Sequence, residues 1–280
     1  MSEVSTGKVV NVASVKHRSP FRYPGGKTWL VPHVRKWLRG KAIAEFAEPF
    51  AGGGIVGLSV LFDAIAPKIT LVEIDPGVAA VWKVIANGNG KDLAQRIVDF
   101  EMSTPIVREI LGKSHRRLID KAFATILRNR VQRGGIMAPG ASLMKEGENG
   151  KGLLSRWYPT TLQSRILDID AKREFIQFIQ GDGMKFLKET ASRDDIAYLI
   201  DPPYMKAGGR LYLHSEIDHD KLFKIADELK GDFLMTYDNI PAARDLAKKH
   251  GFETQEISMK NTHHAVMSEL LIGRDLSWAR

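Results

Sequence analysis

Cysteine is absent from the 280 residues. Disulfides and thiolate metal sites are thereby excluded, which fits a cytoplasmic protein. No apolar run is long enough to span a bilayer, so no membrane role is expected. The first residues lack the apolar block of a secretory signal. Acids are in deficit, with 33 Asp and Glu against 41 Lys and Arg, a net charge of +8. Such a balance suggests an acidic partner, nucleic acid above all. Hydrophobic residues make up 44% and charged residues 26%, ordinary values for a soluble globular chain. At this length one domain with an insertion fits better than three domains.

The most informative stretch is Ala197-Tyr198-Leu199-Ile200-Asp201-Pro202-Pro203-Tyr204. The run 196–200 is short and continuously apolar, as in a strand buried on both faces of a parallel sheet. Two prolines then stop it, since neither can donate to a ladder. Asp201 therefore sits at the carboxyl end of a strand, where open α/β sheets place their ligands. A carboxylate and a backbone carbonyl on a stiff turn can accept both hydrogens of an exocyclic amine, and Tyr204 can stack on the heterocycle that bears it. Taken alone, the same residues read equally well as a strand end and an ordinary turn.

Residues 42–50 read as a buried strand with one acid, Glu48, near its end. Ala51-Gly52-Gly53-Gly54-Ile55-Val56-Gly57 follows and opens a helical segment. Gly52, Gly54 and Gly57 satisfy G-x-G-x-x-G in the strand-turn-helix context that the motif requires. Glycines let a backbone approach a ligand, and free amides at a helix start favour an anion. A second strand, 70–75, ends in acids about 20 residues on, where a ribose diol is held in such folds. An adenosine-type cofactor is the expected ligand; the pattern does not separate a dinucleotide from S-adenosylmethionine. Upstream, Phe21-Arg22-Tyr23-Pro24-Gly25-Gly26-Lys27 carries an aromatic ring and a lysine through a tight turn into a helix. It reads as a helix start with a solvated lysine, or as a clamp placing Tyr23 on a ring and Lys27 on a carboxylate.

Between residues 108 and 133 eight basic residues face two acids, most of the excess charge in under a tenth of the chain. Phosphate contact explains this better than a solvated face, which normally mixes signs. Arg116, Arg117, Arg128, Asn129, Arg130, Gln132 and Arg133 are the expected DNA-binding residues; Arg, Asn and Gln can pair two-pronged with base edges. Residues 134–152 read as a glycine-rich mobile loop. Later strands are expected at 175–180, ending in Gly181-Asp182, at 233–237, and at 252–259 with 268–272. Asp182 reads either as a partner for a cofactor's adenine or as a helix cap. His263 and His264 have no third ligand, so no metal is expected.

The three motifs, in this order, resemble those of the Dam-like D12 class of adenine-specific DNA methyltransferases, over roughly residues 20–273. The resemblance implies a Rossmann-like α/β methyltransferase sheet. An arm (1–19) would precede a catalytic domain (20–87 and 176–280), with a helical target-recognition insertion at 88–175. It implies S-adenosylmethionine as methyl donor. Tyr23 and Lys27 would contact this cofactor, Lys27 at its carboxylate. Ala51 and Gly52 would line its methionine moiety, Glu73 its ribose, and Asp182 its adenine. Asp201 and the Pro202 carbonyl would bind the target amine, with Asp201 also beside the cofactor and Tyr204 stacked on a flipped adenine. The partner would be double-stranded DNA. A restriction endonuclease of matching specificity would act separately, and the protein would be a monomer or weak dimer in a prokaryotic or phage-encoded setting. Cytosine N4 methylation is the nearer alternative. A nicotinamide or flavin oxidoreductase and a non-catalytic DNA-binding protein are remoter ones.

Overall fold

A computed structural model describes residues 15–22, 26–135, 137, 141–145, 150–203, 205, 217–260 and 266–280. Seven strands form one sheet: β1 (Glu45–Glu48), β2 (Ile69–Glu73), β3 (Ile176–Gln180), β4 (Ile196–Ile200), β5 (Asp232–Asp238), β6 (Glu253–Lys260) and β7 (Val266–Gly273). Their order is β3-β2-β1-β4-β5-β7-β6. The first five run parallel, and β7 is antiparallel to both β5 and β6. The fold is the expected Rossmann-like α/β sheet.

Alternation along the strands accounts for the two cores. Phe46, Leu71, Leu199 and Leu234 point to one face, while Ala47, Val72, Tyr198, Ile200 and Met235 point to the other. The first face is covered by helices α1 (Val31–Trp37), α2 (Ile55–Phe62) and α3 (Pro76–Ala86). Behind α3 lie α4 (Gly90–Val98), α5 (Thr104–Gly112), α6 (Leu118–Val131) and α7 (Pro159–Asp170). The second face is covered by α8 (Gly183–Thr190), α9 (His219–Glu228) and α10 (Pro241–Lys249). Caps fix where helices begin. The Asp75 carboxylate accepts from the amides of Gly77 and Val78 to start α3, and Asp182 accepts from Met184 to start α8.

The order of strands decides where a ligand goes. Connections from β1 lead outward through β2 and β3; those from β4 lead the other way. The crevice between the carboxyl ends of β1 and β4 is thus the topological switch point. The glycine turn follows β1 and Asp201 follows β4.

Residues 88–175 do not form a separate core. Leu93, Ile97, Phe123, Leu127, Trp157 and Ile166 belong to the same apolar cluster as Phe46 and Leu71. Of the arm assigned to residues 1–19, only 15–19 lie among the described residues, and these pack on the sheet's helical layer. Val15 and Ser19 are buried, Lys16 pairs with Asp168, and the Arg18 guanidinium lies over Phe62 and beside Asp63. Of the loop expected at 134–152, residues 136, 138–140 and 146–149 lie outside the described residues.

Candidate active site

A cleft of about 250 Å³ opens at the switch point. Lys27, Ala51, Gly52, Glu73, Asp182 and Asp201 all line it; four separate strand ends deliver all but Lys27, which opens the first helical turn. Tyr23 and Tyr204 lie outside the described residues. Pro203 lines the cleft, whereas Pro202 is buried.

The glycine turn is shaped by its surroundings. Gly52 and Gly54 take φ of 48° and 57°, the left-handed region that only glycine enters freely. The Trp82 indole donates to the Gly52 carbonyl, and the Gly52 amide donates to Glu73 Oε2. Glu73 Oε1 accepts from the amide of Asp75, so one carboxyl ties the turn after β1 to the turn after β2. Burial, partly offset by those amides, pushes Glu73 up to about 7.

Glu48, an acid without an expected role, is buried under the helix start and accepts from the Gly57 amide. Burial pushes it up to about 8. Its carboxyl takes the place at the α2 N-terminus that a pyrophosphate occupies in dinucleotide folds. The inserted antiparallel β7 also departs from the 3-2-1-4-5-6 order of those folds. Both observations count against the nicotinamide and flavin readings.

The raised values set a pH dependence. Each folded value lies above the ordinary 4.5, so stability is greatest when both carboxyls are neutral and declines as pH rises from about 4.5 toward 8. Glu48→Gln should remove the Glu48 share of that decline. The difference in melting temperature, variant minus wild type, should therefore grow from pH 5 to pH 8. A difference that stays flat across this range would show that Glu48 ionises normally.

Asp201 is held from one side. Lys27 Nζ lies 3.1 Å from its Oδ1, and the Thr236 hydroxyl donates to the same oxygen at 2.5 Å. Among the described residues Oδ2 carries no partner. Lys27 also reaches Glu269 on β7 at 2.7 Å. Burial works to lower the Lys27 ammonium, but Asp201 and Glu269 outweigh it and hold it above its ordinary value. Lys27, expected at the cofactor's carboxylate, lines the cleft, and its ammonium pairs there with two carboxylates of this chain. Glu269 and Thr236 escaped the sequence reading. The one available signal was a lone acid in the apolar strand Ser268-Glu269-Leu270-Leu271-Ile272.

Asp182 does act as the helix cap, through Oδ1 to Met184, while still lining the cleft. Ile74, 45% exposed although strongly apolar, lies on the same wall with Phe50 and Met184.

The expected DNA-binding residues divide. Arg116, Arg117 and Arg133 are exposed. Arg117 sits beside Asp120, which also holds Arg96. Arg128 donates to the Leu111 carbonyl, and the Gln132 amide to that of Ala141. Asn129 is corrected, since it is buried among backbone partners; Arg130 is buried too but lines a second cleft. The Asn129 amide accepts from Arg22 N and donates to the carbonyls of Arg22 and Gly135, fixing the segment that leads into the 23–25 turn. Asn129→Ala should strand these groups and lower stability by about 2–4 kcal/mol. Urea denaturation measures this; a base-reading role predicts instead normal stability with altered sequence preference.

Residues 23–110 match the family of D12 class N6 adenine-specific DNA methyltransferases. The matched segment holds the glycine turn and Glu73, which makes this a methyltransferase-type cleft, one suited to S-adenosylmethionine. No curated protein matches the chain at a significant level. Solved structures with a similar fold include a protein of Pyrococcus horikoshii assigned as an RNA methyltransferase, with 11% identity, a TM-score of 0.40, and coverage of 94% of this chain and 92% of that one. A protein of Escherichia coli assigned as a methyltransferase shares 12% identity at a TM-score of 0.41, covering 92% of this chain and 90% of that one. The precorrin-6y C5,15-methyltransferase of Geobacter metallireducens shares 10% at 0.37, covering 86% and 84%. Likenesses this distant bear on neither substrate nor site residues. Among the described residues no helix is long and apolar enough to cross a membrane, and no acidic or histidine cluster could hold a metal.

Proposed function

We propose that the protein transfers a methyl group from S-adenosylmethionine to the N6 amine of an adenine flipped out of double-stranded DNA. The observation that carries this reading is Asp201. One oxygen is locked by Lys27 and Thr236, and the other is left to accept a hydrogen in the cleft that the glycine turn, Glu73 and Asp182 also line.

The residues present fit the methyl donor. Glu73 accepts two backbone amides yet keeps lone pairs for ribose hydroxyls, and Asp182 and Ile74, which line the same cleft, are the proposed neighbours of the donor's adenine. When bound, S-adenosylmethionine supplies an electrophilic methyl on a sulfonium. The remaining work falls to the chain. An adenine amine is a poor nucleophile because its lone pair is delocalised into the ring. Asp201 Oδ2 accepts one N–H, and the carbonyl of Pro202 is the proposed acceptor of the other. Together they favour a pyramidal nitrogen whose lone pair is free to take the methyl, and the methylated nitrogen then sheds one of its two protons. Leaving the duplex costs a few kcal/mol of stacking and pairing. A ring at Tyr204 would offset about 1–3 kcal/mol of this.

The test joins two measurements. Calorimetry should show S-adenosylmethionine binding with no affinity for NAD. Mass spectrometry of nucleosides from duplex DNA incubated with protein and cofactor should then show N6-methyladenine. N4-methylcytosine would move the assignment to the other exocyclic amine, and methylated RNA alone would overturn the DNA reading.

A further inference from the structure

A second cleft, of about 260 Å³, lies against the first. Arg22, Arg130, Arg165, Tyr158 and Thr161 line it, and His17 lines both clefts. No acid is among its lining residues. Arg130 is 5% exposed, donates one N–H to the Pro20 carbonyl, and leaves its buried Nε without a hydrogen-bond partner among the described residues. Arg165 donates to the Ser19 carbonyl. A buried guanidinium short of an acceptor, next to another guanidinium, is unfavourable unless an anion completes it.

We propose that this cleft is a phosphodiester subsite, gripping the DNA backbone beside the flipped nucleotide. The inference rests on the DNA reading above and adds to it a place for the phosphate. Planar guanidinium forks suit phosphate oxygens in two-pronged contact. The Tyr158 ring is 52% exposed at the rim, where a sugar or base would pass. His17 joins the subsite to the wall that carries Ser19 and Phe21, so phosphate and base would be held by adjoining chambers. Phosphate contacts fix register without reading sequence, which is what an enzyme extruding one base needs. Burial, then Arg165, Arg22 and Arg156, lowers Arg130 to about 10, which leaves it cationic at neutral pH. Burial and the same two arginines, Arg165 and Arg130, lower His17 to about 4, so it is a neutral neighbour there.

The test uses the full chain and duplexes containing the mapped methylation site, with one linkage at a time made neutral as a methylphosphonate. In the wild type, one linkage next to the target adenine should matter most, weakening binding about tenfold. Arg165→Gln should bind the unmodified duplex about tenfold more weakly, with a salt slope smaller by about 1. It should be indifferent to that linkage and bind S-adenosylmethionine normally. Arg165→Lys should retain the slope, which separates lost charge from lost folding. If Arg165→Gln stays sensitive to the same linkage, the subsite is elsewhere although the DNA reading stands. If inorganic phosphate stabilises the wild type but not Arg165→Gln, and no linkage couples to the residue, the cleft serves a free anion and the backbone assignment falls. Absence of all DNA binding overturns the function and this inference together.

Discussion

Asp201→Asn should lower the single-turnover rate of methyl transfer by at least about 10³-fold, while affinities for cofactor and DNA change less than about threefold. The substitution keeps volume and shape. The amide oxygen can still take the place of Oδ1 against Thr236 and Lys27. Its nitrogen then faces the target amine donor to donor, so the hydrogen that Oδ2 would accept meets a repulsive partner. Ground-state binding depends mainly on stacking and phosphate contact and is spared. A transfer rate within tenfold of wild type would show that the carboxylate is a bystander at the strand end.

Lys27→Met should be the most destabilising single change at this site. Asp201 and Glu269 share one ammonium, at 3.1 and 2.7 Å, and Glu269 is 5% exposed. Removing the cation leaves two carboxylates close together in a largely dry place. Breaking such a pair costs about 3–5 kcal/mol. Urea denaturation measures the loss. The double variant Lys27→Met/Glu269→Gln should recover part of it, since one of the two unpaired charges is gone. A double variant no more stable than Lys27→Met would mean that lost packing, and not charge, is responsible.

Local chemistry was enough to determine much of this protein. The apolar run 196–200 with its proline stop, the glycine turn after a strand, and Asp182 read as a possible helix cap each reflect forces acting within a few residues. The structure keeps them: β4 ends before Asp201, Gly52 and Gly54 take positive φ, and Asp182 caps α8. The continuous apolar run 196–200 likewise marked a strand covered on both faces, and it is buried throughout.

Tertiary structure alone decided the rest. Lys27 and Glu269 are 242 positions apart, and no local pattern states that β7 will carry an acid to a lysine on the first helical turn. Residues 128–133 looked like a uniform recognition surface because charge and hydrogen-bonding capacity are visible in a sequence while direction is not. Helix α6 turns Asn129 and Arg130 inward, against the backbone at Arg22 and Pro20. Sequence listed the chemical groups; the order in which the strands pair chose which of them meet at the switch point, because burial and charge pairing act through space between residues far apart in the chain.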